Sequence, residues 1–107
     1  MFVDHIELET TEFAPGILLR RLNQGLEINA VHWNFKDGVS LPAHQHIHEQ
    51  FGYIIQGGFQ VTIGGQTRLL KAGDAYYVPP NTMHQFVAVG ETEAIDVFTP
   101  VREVGYK

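Results

Sequence analysis

Between Leu26 and Phe35 the sequence LEINAVHWNF is rich in strand-forming residues and alternates, placing Trp33 and Phe35 on one face and His32 and Asn34 on the other. The spacing predicts a strand. The same two-residue rhythm returns in Gly16 to Asn23 (GILLRRLN), Gln50 to Gln56, Phe59 to Ile63, Gln66 to Leu70, Ala75 to Val78, Met83 to Val89 and Thr92 to Thr99. Turn residues separate these runs: Asn23-Gln24-Gly25, Lys36-Asp37-Gly38 and Gly57-Gly58. Gly64-Gly65 is the signal for a tight two-residue hairpin, because glycine accepts the positive φ such a turn needs. The strands on either side of Gly57-Gly58 are expected to form a pair as well. No stretch carries a sustained helical period with caps. The first dozen residues read as an acidic arm with room for a short strand. Many short strands at close, even spacing predict an antiparallel sandwich or barrel.

Length and charge narrow the picture. The chain has 107 residues, which fits one domain with one core across 1–107. It has no cysteine, so disulfides and thiolate chemistry are excluded. Its amino end is acidic where a targeting peptide would be basic, and no apolar run reaches the length of a membrane span, so a cytoplasmic protein without membrane contact is expected. A formal net charge of -5 argues against nucleic acid as a partner. An anionic substrate would have to be met by local positive charge, from a metal and an arginine.

The chemistry concentrates in Gly38 to Gly58, GVSLPAHQHIHEQFGYIIQGG. His44 and His46 alternate, so on a strand they can aim two imidazoles at one point, an arrangement suited to borderline divalent metals such as Zn, Ni, Fe and Mn. Pro42, just before them, suits an edge or a bend. A second segment, GDAYYVPPNTMH from Gly73 to His84, adds another histidine. Together the two resemble the paired signature motifs of the cupin superfamily. A glycine, five residues, His-x-His, a short gap to a further ligand and six residues to a glycine fall on Gly38, His44, His46, Gln50 and Gly57. A glycine, five residues, Pro, and a histidine five residues beyond fall on Gly73, Pro79 and His84. Two departures stand out: Gln50 occupies the usual glutamate position, and Asn81 the usual glycine, where asparagine tolerates a left-handed turn.

The resemblance implies an all-β fold, the cupin double-stranded jelly-roll barrel, with one divalent transition metal (Zn, Ni, Mn or Fe) held by His44, His46, Gln50 and His84. His48 is the alternative to Gln50 as fourth ligand. A neutral glutamine leaves the metal more positive and removes a carboxylate from its immediate shell, which favours polarising an oxygen-rich substrate over redox work. Small cupins often dimerise, and a homodimer is expected.

Asp96, Phe98 and Arg102 in AIDVFTPVR share parity and would line one face of the last strand. A carboxylate in an apolar strand needs a partner. Either Asp96 and Arg102 form an ion pair at the rim, or Asp96 is a general acid/base and Arg102 a carboxylate clamp. Together with the ligand set and the chain length, Asp96, Phe98, Pro100 and Arg102 resemble the KdgF-type small cupins of pectin and alginate breakdown. That resemblance implies ring opening of 4,5-unsaturated monouronates, small anionic sugars, with Asp96, Arg102 and Phe98 as the catalytic set. Arg20 or Arg21, whichever faces inward, is a further candidate for the substrate's charge. Two other readings compete: a cupin metal dioxygenase, and a non-catalytic sugar-sensing cupin.

Overall fold

The computed structural model describes residues 1–104. They form ten strands: β1 (Thr10–Ala14), β2 (Ile17–Gln24), β3 (Asn29–Phe35), β4 (Ser40–His44), β5 (Glu49–Gln56), β6 (Gly58–Ile63), β7 (Gln66–Lys71), β8 (Ala75–Val78), β9 (His84–Ala88) and β10 (Thr92–Thr99). One turn of 3-10 helix, His5–Glu7, precedes them. The strands hydrogen-bond into two antiparallel sheets, one of six in the order β1-β2-β3-β10-β5-β8 and one of four in the order β4-β9-β6-β7. This is the all-β barrel the turn rhythm predicts. Among the described residues no helix is long and apolar enough to cross a membrane.

Alternation explains how the sheets face each other. Along β10 every second residue, Thr92, Ala94, Asp96 and Phe98, is buried. Val31, Trp33 and Phe35 of β3 and Ile54 of β5 face the same interior, met from the other sheet by Phe59, Val61, Phe86 and Ala88. Aromatic rings interlock there edge to face: Phe35 on Phe59 with centroids 4.9 Å apart, and Phe59 on Phe86 at 5.4 Å. Each fully buried large side chain contributes roughly 1.5–3 kcal/mol of transfer free energy.

Most strand boundaries follow the sequence signals, with informative exceptions. β5 and β6 do not pair with each other: β5 lies between β10 and β8, while β6 lies between β9 and β7. Gly57 is therefore the point where the chain passes from one sheet to the other, with φ 74 and no room for a side chain, since a Cβ would lie 2.2 Å from the Glu91 carbonyl oxygen. Gly64 and Gly65, with φ of 55 and 82, do close a hairpin, Ile63 opposite Gln66. β3 starts at Asn29, not Leu26, whose side chain is fully exposed. Asn81 adopts φ 55, the conformation its side chain type tolerates. Pro42 lies in β4, an edge strand whose register shifts between Leu41 and His44.

Candidate metal centre and its buried carboxylate

The His-x-His segment does not lie within one strand. β4 ends at His44, and the chain bends through Ile47 and His48 before β5 begins at Glu49. His44 and His46 nevertheless point at one place, where His84 joins them from the first position of β9, directly opposite His44 in the ladder. One ligand nitrogen from each of the three lies within 4.8 Å of the others.

Backbone carbonyls fix how these rings present themselves. His44 Nδ1 lies 2.8 Å from the Pro42 oxygen, His84 Nδ1 2.8 Å from the Thr82 oxygen and His46 Nδ1 3.1 Å from the His48 oxygen. A carbonyl only accepts, so in each neutral ring Nδ1 carries the proton and Nε2 keeps a lone pair. This is the support that metal-binding histidines use. His84 Nε2 is buried and has no hydrogen-bond partner. His46 Nε2 faces the Gln50 side-chain oxygen at 3.1 Å, so that ring meets two acceptors with one proton. A second proton is disfavoured: burial, aided by the charge of Arg102, lowers His46 to about 4. Burial also lowers His44 and His84. Four electron-pair donors thus converge where no proton resides comfortably, an arrangement a divalent ion satisfies. The His48 ring stands beside His46, centroids 5.3 Å apart, but outside the three-histidine cluster. Of the two candidates for fourth ligand, Gln50 is the one whose side-chain oxygen lies within 3.1 Å of a cluster nitrogen, His46 Nε2.

Behind Gln50 sits Asp96, buried and held by three donors. Its Oδ1 accepts from the Tyr76 hydroxyl at 2.5 Å; its Oδ2 accepts from Trp33 Nε1 at 2.9 Å and from Gln50 Nε2 at 3.0 Å. Burial raises its pKa to about 6, while these three hydrogen bonds oppose the shift. The rim ion pair does not form: Arg102 acts on Asp96 only through its field, and its guanidinium instead lies 5.1 Å from the centre of the Phe98 ring. Arg102 reaches that place although β10 stops at Thr99, so strand parity alone is not what aligns it. The buried Asn29 side chain holds its backbone, donating to the Arg102 carbonyl and accepting from the Arg102 N–H, each at 2.8 Å.

Asn29, Trp33 and Tyr76 are the residues that sequence reasoning missed. Trp33 carried a usable signal, since a buried indole N–H needs an acceptor. Gly52 carried another: Gly52 and Tyr76 are paired, and a Cβ on Gly52 would lie 1.9 Å from the Tyr76 ring, so glycine there lets the phenol lie flat across β5 towards Asp96. Of the two arginines on β2, Arg21 follows the inward parity of Leu19, and its Nε donates to the Val104 carbonyl at 3.0 Å. Arg20 lies opposite His32 in the ladder, on the other side of the sheet. There His32 is paired with Glu93 at 2.6 Å, a contact remote from the histidine cluster. A cavity of about 300 Å³ opens beside His44 and Arg102, walled by Phe13, Trp33 and Pro42.

The geometry agrees with what the chain is similar to. The cupin domain profile matches residues 31–98. The pectin degradation protein KdgF of Dickeya dadantii is 36% identical over 103 residues, covering 94% of this chain and 93% of that protein. The solved structure of KdgF from a Halomonas species superposes with a TM-score of 0.90 at 35% identity, covering 96% of both chains. An RmlC-like cupin from Shewanella frigidimarina superposes with a TM-score of 0.91 at 32% identity, over 95% of this chain and 92% of that one. With its fold, its converging histidines and its full-length relatives in agreement, the chain belongs to the cupin family and, within it, to the KdgF group.

Proposed function

We propose that the protein linearises 4,5-unsaturated monouronates, the sugars released by pectate or alginate lyases, using one divalent transition metal held by His44, His46, His84 and Gln50. The observation that carries this reading is the pairing of two unlike features: four convergent neutral donors, and immediately behind them a buried carboxyl with a pKa of about 6. The name of the Dickeya dadantii relative, a pectin degradation protein, supplies the substrate class.

The reaction is redox-neutral. The C1 hydroxyl loses a proton as the bond from C1 to the ring oxygen breaks, C4 gains a proton as the enol becomes a ketone, and no electrons leave the sugar. A metal bound at the four donors supplies Lewis acidity towards the sugar's oxygens. Arg102, at the mouth beside His44, holds the substrate carboxylate in a bidentate grip. The Phe98 ring, fully buried beneath that guanidinium, braces it and offers the sugar no wall of its own. Asp96, with its pKa raised by burial to about 6, takes up and returns the proton at its carboxyl oxygens.

The test is optical. The conjugated alkene of an unsaturated uronate absorbs in the ultraviolet, and ring opening with ketonisation removes that absorbance. The metal-loaded protein is expected to abolish it without consuming oxygen. Unchanged absorbance with uronates from both pectin and alginate would sink the proposal, and oxygen uptake would replace it with a dioxygenase.

A further inference from the structure

The hydrogen bonds around Asp96 contain a constraint on residue 50. An indole N–H only donates, so Asp96 Oδ2, 2.9 Å from Trp33 Nε1, must act as an acceptor. Gln50 places a polar atom 3.0 Å from that same Oδ2, and an ionised carboxylate only accepts, so opposite the ionised Asp96 this atom must also be a donor, the amide nitrogen. The amide oxygen is thereby left facing His46 Nε2 at 3.1 Å. The reversed amide would set its oxygen against the ionised Asp96 Oδ2, so the Asp96 end decides the orientation. A glutamate at position 50 would bring a carboxylate oxygen against Asp96 Oδ2 in a buried setting, so the pair must either hold two like charges in hydrogen-bond range or take up a proton that the wild type does not need.

We infer that Trp33 and Asp96 are positioning residues for Gln50: together they admit only a hydrogen-bond donor behind position 50, and so deliver a neutral oxygen, never a carboxylate, to the histidines. The metal role of that oxygen rests on the proposed function, but the exclusion of glutamate does not. Glutamine is present because of what lies behind it as much as what lies before it. Tyr76 gives the network one degree of freedom, because a hydroxyl can reverse from donor to acceptor whereas an indole N–H cannot. In Asp96→Asn the new amide can therefore turn its NH2 to Tyr76 and keep its oxygen on Trp33 and Gln50, leaving Gln50 oriented as before.

The experiment has a metal-free arm and a metal arm. In chelator, thermal melts of wild type, Gln50→Glu, Asp96→Asn and the double variant form a cycle. Gln50→Glu should lower the melting temperature by about 10 °C. Asp96→Asn in that background should recover at least half of the loss by removing one of the two charges. In the metal arm, cobalt(II) affinity is read by competition with a chelator, and the visible spectrum of the bound ion reports its ligands. Asp96→Asn should bind cobalt(II) within about threefold of wild type, whereas Asp96→Asn with Trp33→Phe frees the amide and should bind at least about tenfold more weakly, with an altered spectrum. The inference is overturned if Gln50→Glu melts with wild type, or if Asp96→Asn recovers none of its loss. Equal cobalt affinity and spectrum in the Trp33→Phe double variant would also overturn it. Should that variant not fold, the metal-free cycle decides alone. A wild type that takes up no cobalt(II) removes the metal reading, while the metal-free cycle still decides whether residue 50 is constrained from behind.

Discussion

Two ends of one strand face show how the same fold makes a core and a site. At the Ala94 end of β10 the inward neighbours are Trp33 and Ile54, and beyond them Phe35 and Phe59; the Trp33, Phe35 and Phe59 rings meet edge to face, and no side chain there bonds another through a polar atom except the Trp33 N–H that reaches Asp96. Two residues on, Asp96 faces the same interior with the same burial, yet every side chain that bonds it is a hydrogen-bond donor. Alternation is identical at both ends, so what distinguishes them is chemistry across the ladder. The apolar end tolerates any well-fitting hydrocarbon, whereas the polar end admits only donors and acceptors in matching order.

That contrast can be broken deliberately. The largest effect is expected from His84→Ala, which removes the buried donor contributed by β9: metal content by elemental analysis should fall from about one per chain to near zero, and uronate turnover by more than about a thousandfold, while the metal-free protein stays folded. Phe59→Ala strikes the other end. It should cost roughly 3–5 kcal/mol in denaturant unfolding, yet leave the turnover number of the surviving folded fraction close to wild type. Asp96→Asn preserves shape and, once the Tyr76 hydroxyl reverses, keeps every partner, so it should keep metal and fold and lower turnover by about a hundredfold. Arg102→Ala should raise the Michaelis constant by about tenfold or more, with a smaller effect on turnover, because it removes the grip on the carboxylate.

The smallest effect is in pH dependence. The folded-state pKa values of His44, His46 and His84 lie below the unfolded value of 6.5, His46 at about 4. The stability they lend the metal-free protein is present above pH 6.5 and is lost as pH falls towards 4. Asp96 is displaced the other way, from 3.8 to about 6, so its burial weighs against the fold at neutral pH and is relieved on acidification. Asp96→Asn removes that relief and should steepen the acid loss of stability. Urea unfolding of the two metal-free proteins at several pH values between 7 and 4 measures the difference in slope.

Local signals account for much of this molecule. Gly64-Gly65 announces its hairpin because the turn is made by the two residues themselves. The two motifs announce the cluster of His44, His46 and His84, although His46 reaches it from the bend after β4 and not from the strand that alternation suggests. The rest shares one cause. Gly57-Gly58 looks like another hairpin, but which strand lies beside β5 is decided by β10, more than thirty residues away, and not by the glycines. The alternative that parity left open, an ion pair between Asp96 and Arg102 or separate roles, is likewise decided at a distance: Asn29 of β3 holds the arginine's backbone and Trp33 of the same strand occupies the aspartate. Both depend on the neighbours of β10, β5 on one side and β3 on the other, long-range facts with no trace in the spacing of any of these segments.

The passage of the chain from one sheet to the other at Gly57 has a dynamic consequence. His44 and His84 hang from the four-stranded sheet and Gln50 from the six-stranded one, with His46 in the bend between β4 and β5. An ion gripped by all four would act as a rivet across the open end of the sandwich, where no backbone ladder joins the layers. Its removal should let that end breathe first: amide hydrogen exchange should quicken in β4, β9 and the start of β5, while the strands around Phe35 and Phe59 keep their protection.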